Sequence, residues 1–165
     1  MFVPPDYLQS LCRYIEREQD QEERKQMFKN ILIPTDLSEK SKKAMDIAVN
    51  LGSEEEGRIT LLHVVEIIEG NDQEEFGEFY NRLRARAEKK MVDIAGRCES
   101  RNWSIDSQVL IGKRVNEIVR FAYEHDIDLI ILASHRIDKI EPSEGWATIS
   151  YRVGILSHCP VLMVK

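Results

Sequence analysis

The sequence predicts an α/β fold built on a five-stranded, mostly parallel, doubly wound sheet, with one helix added at the amino terminus. Two observations lead to this prediction. Five short apolar runs of strand length alternate with stretches whose apolar residues recur at helical spacing, which is typical of parallel βαβ units with helices on both faces of the sheet. The chain has 165 residues, 42% of them hydrophobic, which is enough for one domain with a packed core.

The amino-terminal residues 1–26 are predicted to form a helical extension, and residues 27–165 the main domain. After a Pro-Pro turn, Asp6 can cap a helix whose apolar stripe is short. Residues 16–25 are almost all charged or amide-bearing, so the second half of this helix is expected to face solvent. The apolar stripe consists of Leu8, Leu11 and Ile15.

The first strand is predicted at Asn30–Thr35. Pro34 fits the end of this strand, because proline cannot donate a hydrogen bond to the middle of a ladder. Ser38 occupies the position expected of a helix N-cap, and Glu39 suits the first turn of the helix that follows. The apolar face of that helix is predicted to contain Ala44, Ile47, Ala48 and Leu51.

The same alternation continues to the end of the chain. The remaining strands are predicted at Arg58–Val65, Ser104–Ile111, Leu129–Ala133 and Val161–Val164. The remaining helices are predicted at Phe76–Arg101, Val115–His125 and Ala147–Ser157. The inward stripe of the long helix is predicted to hold Phe79, Leu83, Ala87, Met91, Ile94 and Cys98. Ligands of such sheets bind at the carboxyl ends of the strands, near the point where strand order reverses, so candidate residues are sought there.

Composition argues against several classes of function. The formal net charge of −6 disfavours nucleic-acid binding, which needs lysine and arginine clustered on one face. No apolar run approaches the roughly 18 residues that cross a bilayer, and residues 1–6 lack the pattern of a secretory signal. We therefore expect a cytoplasmic protein with no nucleic-acid or membrane partner.

The cysteines and histidines indicate neither a metal site nor a disulfide framework. Cys12, Cys98 and Cys159 are widely spaced and form no Cys-x-x-Cys pair. His63 lies within an apolar strand, where a hydrogen-bonded core histidine is expected. The other histidines, His125 and His158, have no cysteine or carboxylate at metal-ligand spacing.

No catalytic centre is predicted. Ser134 and His135 are adjacent, but neighbouring residues rarely place a hydroxyl and an imidazole in productive geometry, and no third group can be assigned. Asp36, just beyond the first strand, has two interpretations that the residues leave open. Its carboxylate can contribute to a ligand crevice, or Asp36 and Ser38 can simply cap the following helix.

Four segments together resemble the universal stress protein family, over roughly residues 27–165. They are Ile31–Glu39, Leu61–Val65, Asp128–Arg136 and Cys159–Val164, and their order and spacing match as well as their sequences. The resemblance implies the adenine nucleotide alpha hydrolase-like form of the α/β fold. It also implies that the residues contacting adenine and ribose are Pro34, Thr35, Asp36 and Val64, with ATP or AMP as the candidate ligand.

The phosphate half of the family's site is altered in this sequence. Its signature is a glycine, two residues, a second glycine, nine residues, and a glycine followed by serine or threonine. Here Ala133 and Arg136 replace the first two glycines, Ala147-Thr148 stands at the last pair, and the intervening segment is one residue longer. Because phosphates need close approach to bare backbone, we expect ATP to bind weakly or not at all. Ser134 lies within the same loop.

The sequence therefore predicts a regulatory or protective binding protein and not an enzyme, acting as a homodimer through Val161–Val164. The alternative is an adenine-nucleotide sensor that holds AMP or ATP with a rebuilt loop, in which Arg136 and Thr148 replace the glycine contacts. An ATP hydrolase is the least favoured function. The amino-terminal helix is a candidate contact for a protein partner, or it covers the edge strand and keeps the protein monomeric.

Overall fold

A computed structural model describes residues 28–51, 57–68, 76–96, 103–134 and 148–165. The predicted amino-terminal extension lies outside these residues. The strands are β1 (Asn30–Pro34), β2 (Gly57–Glu66), β3 (Trp103–Gly112), β4 (Leu129–Ala133) and β5 (Val161–Val164). The helices within the described ranges are α1 (Lys40–Leu51), α2 (Gly77–Gly96), α3 (Arg114–Glu124) and α4 (Ile149–Leu156). In these ranges no helix is long and apolar enough to cross a membrane.

The five strands form one sheet in the order β3-β2-β1-β4-β5, and all four strand pairings are parallel. This confirms the predicted α/β architecture. Strand order reverses between β1 and β4, where Ile31 pairs with Leu129 and Leu32 with Ile130. Because this pairing is parallel, Asp36, which comes just after β1, and Ala133, which ends β4, lie at the same edge of the sheet. A crevice at this edge is the expected ligand position of the fold.

Helices pack on both faces of the sheet and create two apolar cores. Residues of β1 alternate between them: Ile31 and Ile33 face one core, and Leu32 faces the other. The first core is completed by Ala44, Met45 and Ala48 of α1 and by Tyr80, Ala87 and Met91 of α2. The second is completed by Val115, Ile118, Phe121 and Ala122 of α3 and by Val153 of α4.

Two helical faces differ from the sequence prediction. Phe79 is 43% exposed, whereas its neighbour Tyr80 is 3% exposed and belongs to the core. The Tyr80 hydroxyl accepts a hydrogen bond from Ile68 N at 3.2 Å, so an aromatic ring with a polar tip suits the inward position better than phenylalanine does. On α1, Leu51 is 42% exposed, and Met45 is buried instead. Cys98 lies outside the described residues.

The amino ends of β1 and β4 are fastened together by Asp128. Its Oδ2 atom accepts hydrogen bonds from Lys29 N at 2.7 Å and from Asn30 N at 3.0 Å. The amide of Asn30 donates in turn to the carbonyl of His125 at 2.6 Å. These bonds join residues almost a hundred positions apart and hold the two central strands in register below the crevice.

Candidate functional site

Thr35, which follows β1 directly, uses all of its polar groups within the protein. Its N–H donates to Leu62 O at 2.8 Å, and its hydroxyl accepts from Leu37 N at 2.9 Å and pairs with the buried hydroxyl of Ser41. Its carbonyl accepts from His63 Nδ1 at 2.9 Å. A carbonyl can only accept, so Nδ1 of His63 carries a proton. His63 is thus a hydrogen-bonded histidine of the fold, as predicted, and Thr35 shapes the lip of the crevice.

In the turn after Thr35, Asp36 accepts a hydrogen bond from the backbone of Ser38, but the side chain of Ser38 does not cap a helix. Asp36 is exposed, and its Oδ1 accepts from Ser38 N at 3.0 Å. Leu37 has a φ of 63°, in the left-handed region that non-glycine residues rarely adopt. This turn delays α1 until Lys40, and the Ser38 hydroxyl has no hydrogen-bond partner within the described chain. The prediction of Ser38 as the N-cap is therefore wrong.

The side chains of Pro34 and Val64 are buried, so only the backbone of these residues would face a ligand in the crevice. Pro34 is the last residue of β1 and is buried, as predicted for a proline at a strand end. Val64 is 5% exposed and packs in the core beneath α3. A planar ligand at this edge of the sheet would therefore meet the peptide groups at the ends of β1 and β2, with apolar side chains below them.

On the phosphate side, the described backbone that follows β4 is already paired. Ala133 is the last residue of β4 and aligns with Val164 of β5. The next N–H, that of Ser134, donates to Val164 O at 2.7 Å. Thr148 caps α4, because its hydroxyl accepts from Tyr151 N at 3.3 Å. The other two predicted residues, Arg136 and Ala147, lie outside the described residues.

A cleft with a volume of about 310 Å³ opens beside this crevice, at the carboxyl ends of β2 and β3. Sequence reasoning missed it, because the search for anion-binding residues followed only the segment after β4. Three of its side chains are cationic, and one of them, Arg114, forms an ion pair with Glu66 at 2.6 Å between Nε and Oε2. The cleft is lined by Glu66, Ile67, Lys113, Arg114, Val115, Asn116, Ile149 and Arg152.

Neither catalysis nor metal binding gains support from the described side chains. They contain no group of three or more histidine, cysteine or carboxylate residues that could hold a metal ion. Ser134 is described, but its neighbour His135 is not, so the adjacent pair noted in the sequence lies partly outside the structure.

The family model described as the universal stress protein family matches residues 27–165. This chain belongs to the universal stress protein family. The match begins where the predicted main domain begins and leaves the amino-terminal extension outside it. It covers all five strands, together with the ends of β1 and β4 that form the crevice.

Similar proteins agree with this assignment. The universal stress protein MJ0531 of Methanocaldococcus jannaschii is 29% identical over 142 residues, which cover 84% of this chain and 83% of that protein. The solved structure of MJ0577, from the same organism, is 30% identical, with a TM-score of 0.69 over 84% of this chain and 96% of the other.

Two more distant structures share the fold of this universal stress protein. One is a universal stress protein in complex with cAMP, 16% identical, with a TM-score of 0.58 over 84% of this chain and 98% of the other. The second is the universal stress protein from Archaeoglobus fulgidus in complex with dAMP, 16% identical, with a TM-score of 0.55 over 84% of this chain and 99% of the other.

Proposed function

We propose that this universal stress protein acts in a stress response by binding a partner, as a homodimer in the cytoplasm, without holding ATP tightly. The observation that carries the proposal is the phosphate side of the crevice. There Ala133 replaces a glycine, and the N–H of Ser134 is already bonded to Val164 at 2.7 Å. A phosphate would have to compete with this strand bond and with a Cβ atom where the family has bare backbone.

The strand ends on the adenosine side support a modest role for nucleotide. The polar groups of Thr35 form hydrogen bonds with Leu62, Leu37, Ser41 and His63, so its hydroxyl stabilises the turn. Asp36 remains exposed at the same edge. Polar groups of this kind orient a ligand, whereas glycine-rich loops and helix N-termini supply the contacts that bind its phosphates.

Titration calorimetry with Mg-ATP tests the proposal, together with nucleotide analysis of the purified, denatured protein. We expect no retained ATP and a dissociation constant above about 100 μM. The matched variant restores the signature glycines through Ala133→Gly, Arg136→Gly and Ala147→Gly. If the missing glycines are the cause, this variant should bind Mg-ATP at least ten-fold more tightly than the parent.

Two outcomes would contradict the proposal. The first is a parent dissociation constant in the low micromolar range, about −8 kcal/mol. The second is a glycine-restored variant that is folded by circular dichroism but gains no affinity. That result would show that something other than the loop backbone excludes ATP.

The second candidate function is an adenine-nucleotide sensor for AMP or a related monophosphate. It is favoured by the crevice at the ends of β1 and β4 and by the fold shared with proteins that form complexes with cAMP and dAMP. Arg136 and Thr148 would replace the glycine contacts in this function. Titration with AMP and cAMP separates the candidates, since a sensor requires micromolar binding that Asp36→Ala weakens.

Dimerisation is proposed through β5. This strand ends the sheet order and pairs only with β4 in the described sheet, so its other edge is available for a second subunit. Met163 is 53% exposed there. If two such edges paired around a two-fold axis, the backbone N–H and C=O groups on the outer edge of β5 would gain hydrogen-bond partners. Residues 1–26 are proposed as a contact for a protein partner.

A further inference from the structure

The cleft beside β2 and β3 carries an excess of positive charge. Among the described residues that line it, Lys113, Arg114 and Arg152 are cations and Glu66 is the single carboxylate, which gives these residues a formal charge of +2. Glu66 pairs with Arg114 and therefore offsets one cation. The protein as a whole has a net charge of −6, so the cleft is opposite in sign to the molecule around it. A local field of this sign attracts anions and repels cations.

The positions of the charges are fixed by the sheet. Glu66 is the last residue of β2 and aligns with Gly112, the last residue of β3. The chain then passes through Lys113 into α3, whose first residue, Arg114, reaches back to Glu66. A Cβ at Gly112 would lie 2.6 Å from atoms of the Glu117 side chain, so a larger residue here would displace that side chain. One wall of the cleft is thus held in place without a ligand.

The opposite wall comes from α4. Arg152 lies one turn after the cap Thr148, is exposed, and forms no ion pair with any residue in the described ranges. Ile149 lines the cleft from the same helix, and Ile67 and Val115 add apolar surface from the loop after β2 and from α3. Cations at the rim and apolar side chains below suit a ligand that has both an anionic group and an organic body.

We infer that this cleft binds a small phosphate monoester, with the phosphate held by Lys113 and Arg152 and the organic part against Ile67, Val115 and Ile149. Arginine presents a planar fork that matches phosphate oxygens, and lysine adds a point charge. The volume of about 310 Å³ is at the lower end of the range for small-molecule sites, which suits a sugar phosphate. The cleft adjoins the end of the altered phosphate signature, since Ile149 directly follows Thr148, but neither Ala133 nor Thr148 lines it, and the inference does not rest on the proposed function.

The test is a titration of the full-length protein with ribose 5-phosphate, ribose and inorganic phosphate, followed by ¹H–¹⁵N NMR. A phosphate monoester is largely dianionic at neutral pH. We expect ribose 5-phosphate to shift the amide signals of Lys113–Asn116 and Arg152 in a saturable way, with a dissociation constant below about 1 mM. Ribose should shift none of these signals, and inorganic phosphate should bind more weakly because it lacks an organic body.

Variants assign the binding to the cleft. Arg152→Gln and Lys113→Gln should each raise the dissociation constant for ribose 5-phosphate at least five-fold. Arg84→Gln is the matched control, because Arg84 is an exposed arginine of α2, which packs on the other face of the sheet. It should leave the dissociation constant unchanged. Raising the salt concentration from about 50 to 300 mM should weaken binding to the parent, because exposed charges are screened.

Three results would overturn the inference: no saturable shift with ribose 5-phosphate, equal shifts with ribose, or binding that is unaffected by both cleft variants. These results leave the proposed function standing, since that proposal is decided by Mg-ATP and by the glycine-restored variant. Tight Mg-ATP binding that Arg152→Gln does not change would contradict the proposed function. The inference about the cleft would still be decided by the titration with ribose 5-phosphate.

Discussion

A single threonine links three parts of the crevice at the residue scale. Thr35 joins the end of β2 through Leu62, the start of α1 through Ser41, and the imidazole of His63. The sequence indicated that Thr35 and Asp36 lie at the crevice, and it left open whether Asp36 contributes to a ligand site or caps the following helix together with Ser38. The structure adds the hydrogen bonds, which could not be predicted because the bonding partner Ser41 has no signature of its own in the sequence.

The close packing of Gly57 against Trp103 can be tested by substitution. A Cβ at Gly57 would lie 2.0 Å from the ring of Trp103, its partner in the β2–β3 pairing. Gly57→Ala is expected to lower the free energy of unfolding by about 2 kcal/mol, the cost of overpacking. In a Trp103→Val background the ring is gone, and the same substitution should become neutral or stabilising by about 0.5 kcal/mol. Urea denaturation of the four proteins measures the coupling, and additive effects would contradict this account.

Asp128 provides a second test. Its carboxylate accepts from two backbone N–H groups, those of Lys29 and Asn30. Asp128→Ala leaves both donors without this partner and is expected to cost about 2 kcal/mol of stability. The matched variant Asp128→Asn keeps a side-chain oxygen and should cost less than half as much. Thermal or urea denaturation measures both, and equal losses would mean that the charge, and not the acceptor geometry, holds β1 to β4.

At the element scale, the regular pattern of strands and helices was predictable and the exact faces were not. The run Leu129–Ala133 matches β4 to the residue, because a short apolar run bounded by polar residues has few alternative structures. On the inward face of α2, Ala87 and Met91 are buried as predicted, but the first residue of the stripe was misplaced, at Phe79 instead of Tyr80, because both aromatic residues suit a half-buried helix. Only the contact of Tyr80 with the loop after β2 distinguishes them.

The open edge of β5 leads to a prediction about assembly. Val164 O accepts from Ser134 N, so the backbone groups of Val164 face β4. Polar groups alternate in direction along a strand, so those of Met163 face the open edge. Met163→Pro removes the outward N–H without breaking the β4 ladder, and it should convert a dimer into a monomer. Met163→Val keeps the N–H and should remain dimeric.

Analytical ultracentrifugation of both variants at several concentrations measures the effect. A dimer that survives Met163→Pro would exclude the open edge of β5 from the interface. A monomeric parent at high micromolar concentration would contradict dimerisation altogether. Leu162→Pro is a poorer probe, because the alternation directs the backbone of Leu162 toward β4.

At the scale of the whole molecule, the family and the fold were predictable because four segments keep their order and spacing over the domain. The cleft was not, since its residues come from β2, from the start of α3 and from α4. Nothing in the spacing of Glu66, Lys113 and Arg152 brings them together until the strand order is known. Lys113 and Arg114 directly follow a strand, and the rule about carboxyl ends could have drawn attention to them.

The pairing of β1 with the distant strand β4, which Asp128 stabilises, also affects the order in which the chain folds. β1 pairs on one side with β2, which follows soon after it, and on the other with β4, across a separation of 98 residues. Loop closure over that distance is slow, so during synthesis β1 and β2 can join long before β4 leaves the ribosome. Throughout that interval, the strand destined for the middle of the sheet has an unpaired apolar edge. Pulse-labelled hydrogen exchange should therefore find the amides between β1 and β2 protected before those between β1 and β4, and a nascent chain that ends before Leu129 should be a substrate for chaperones.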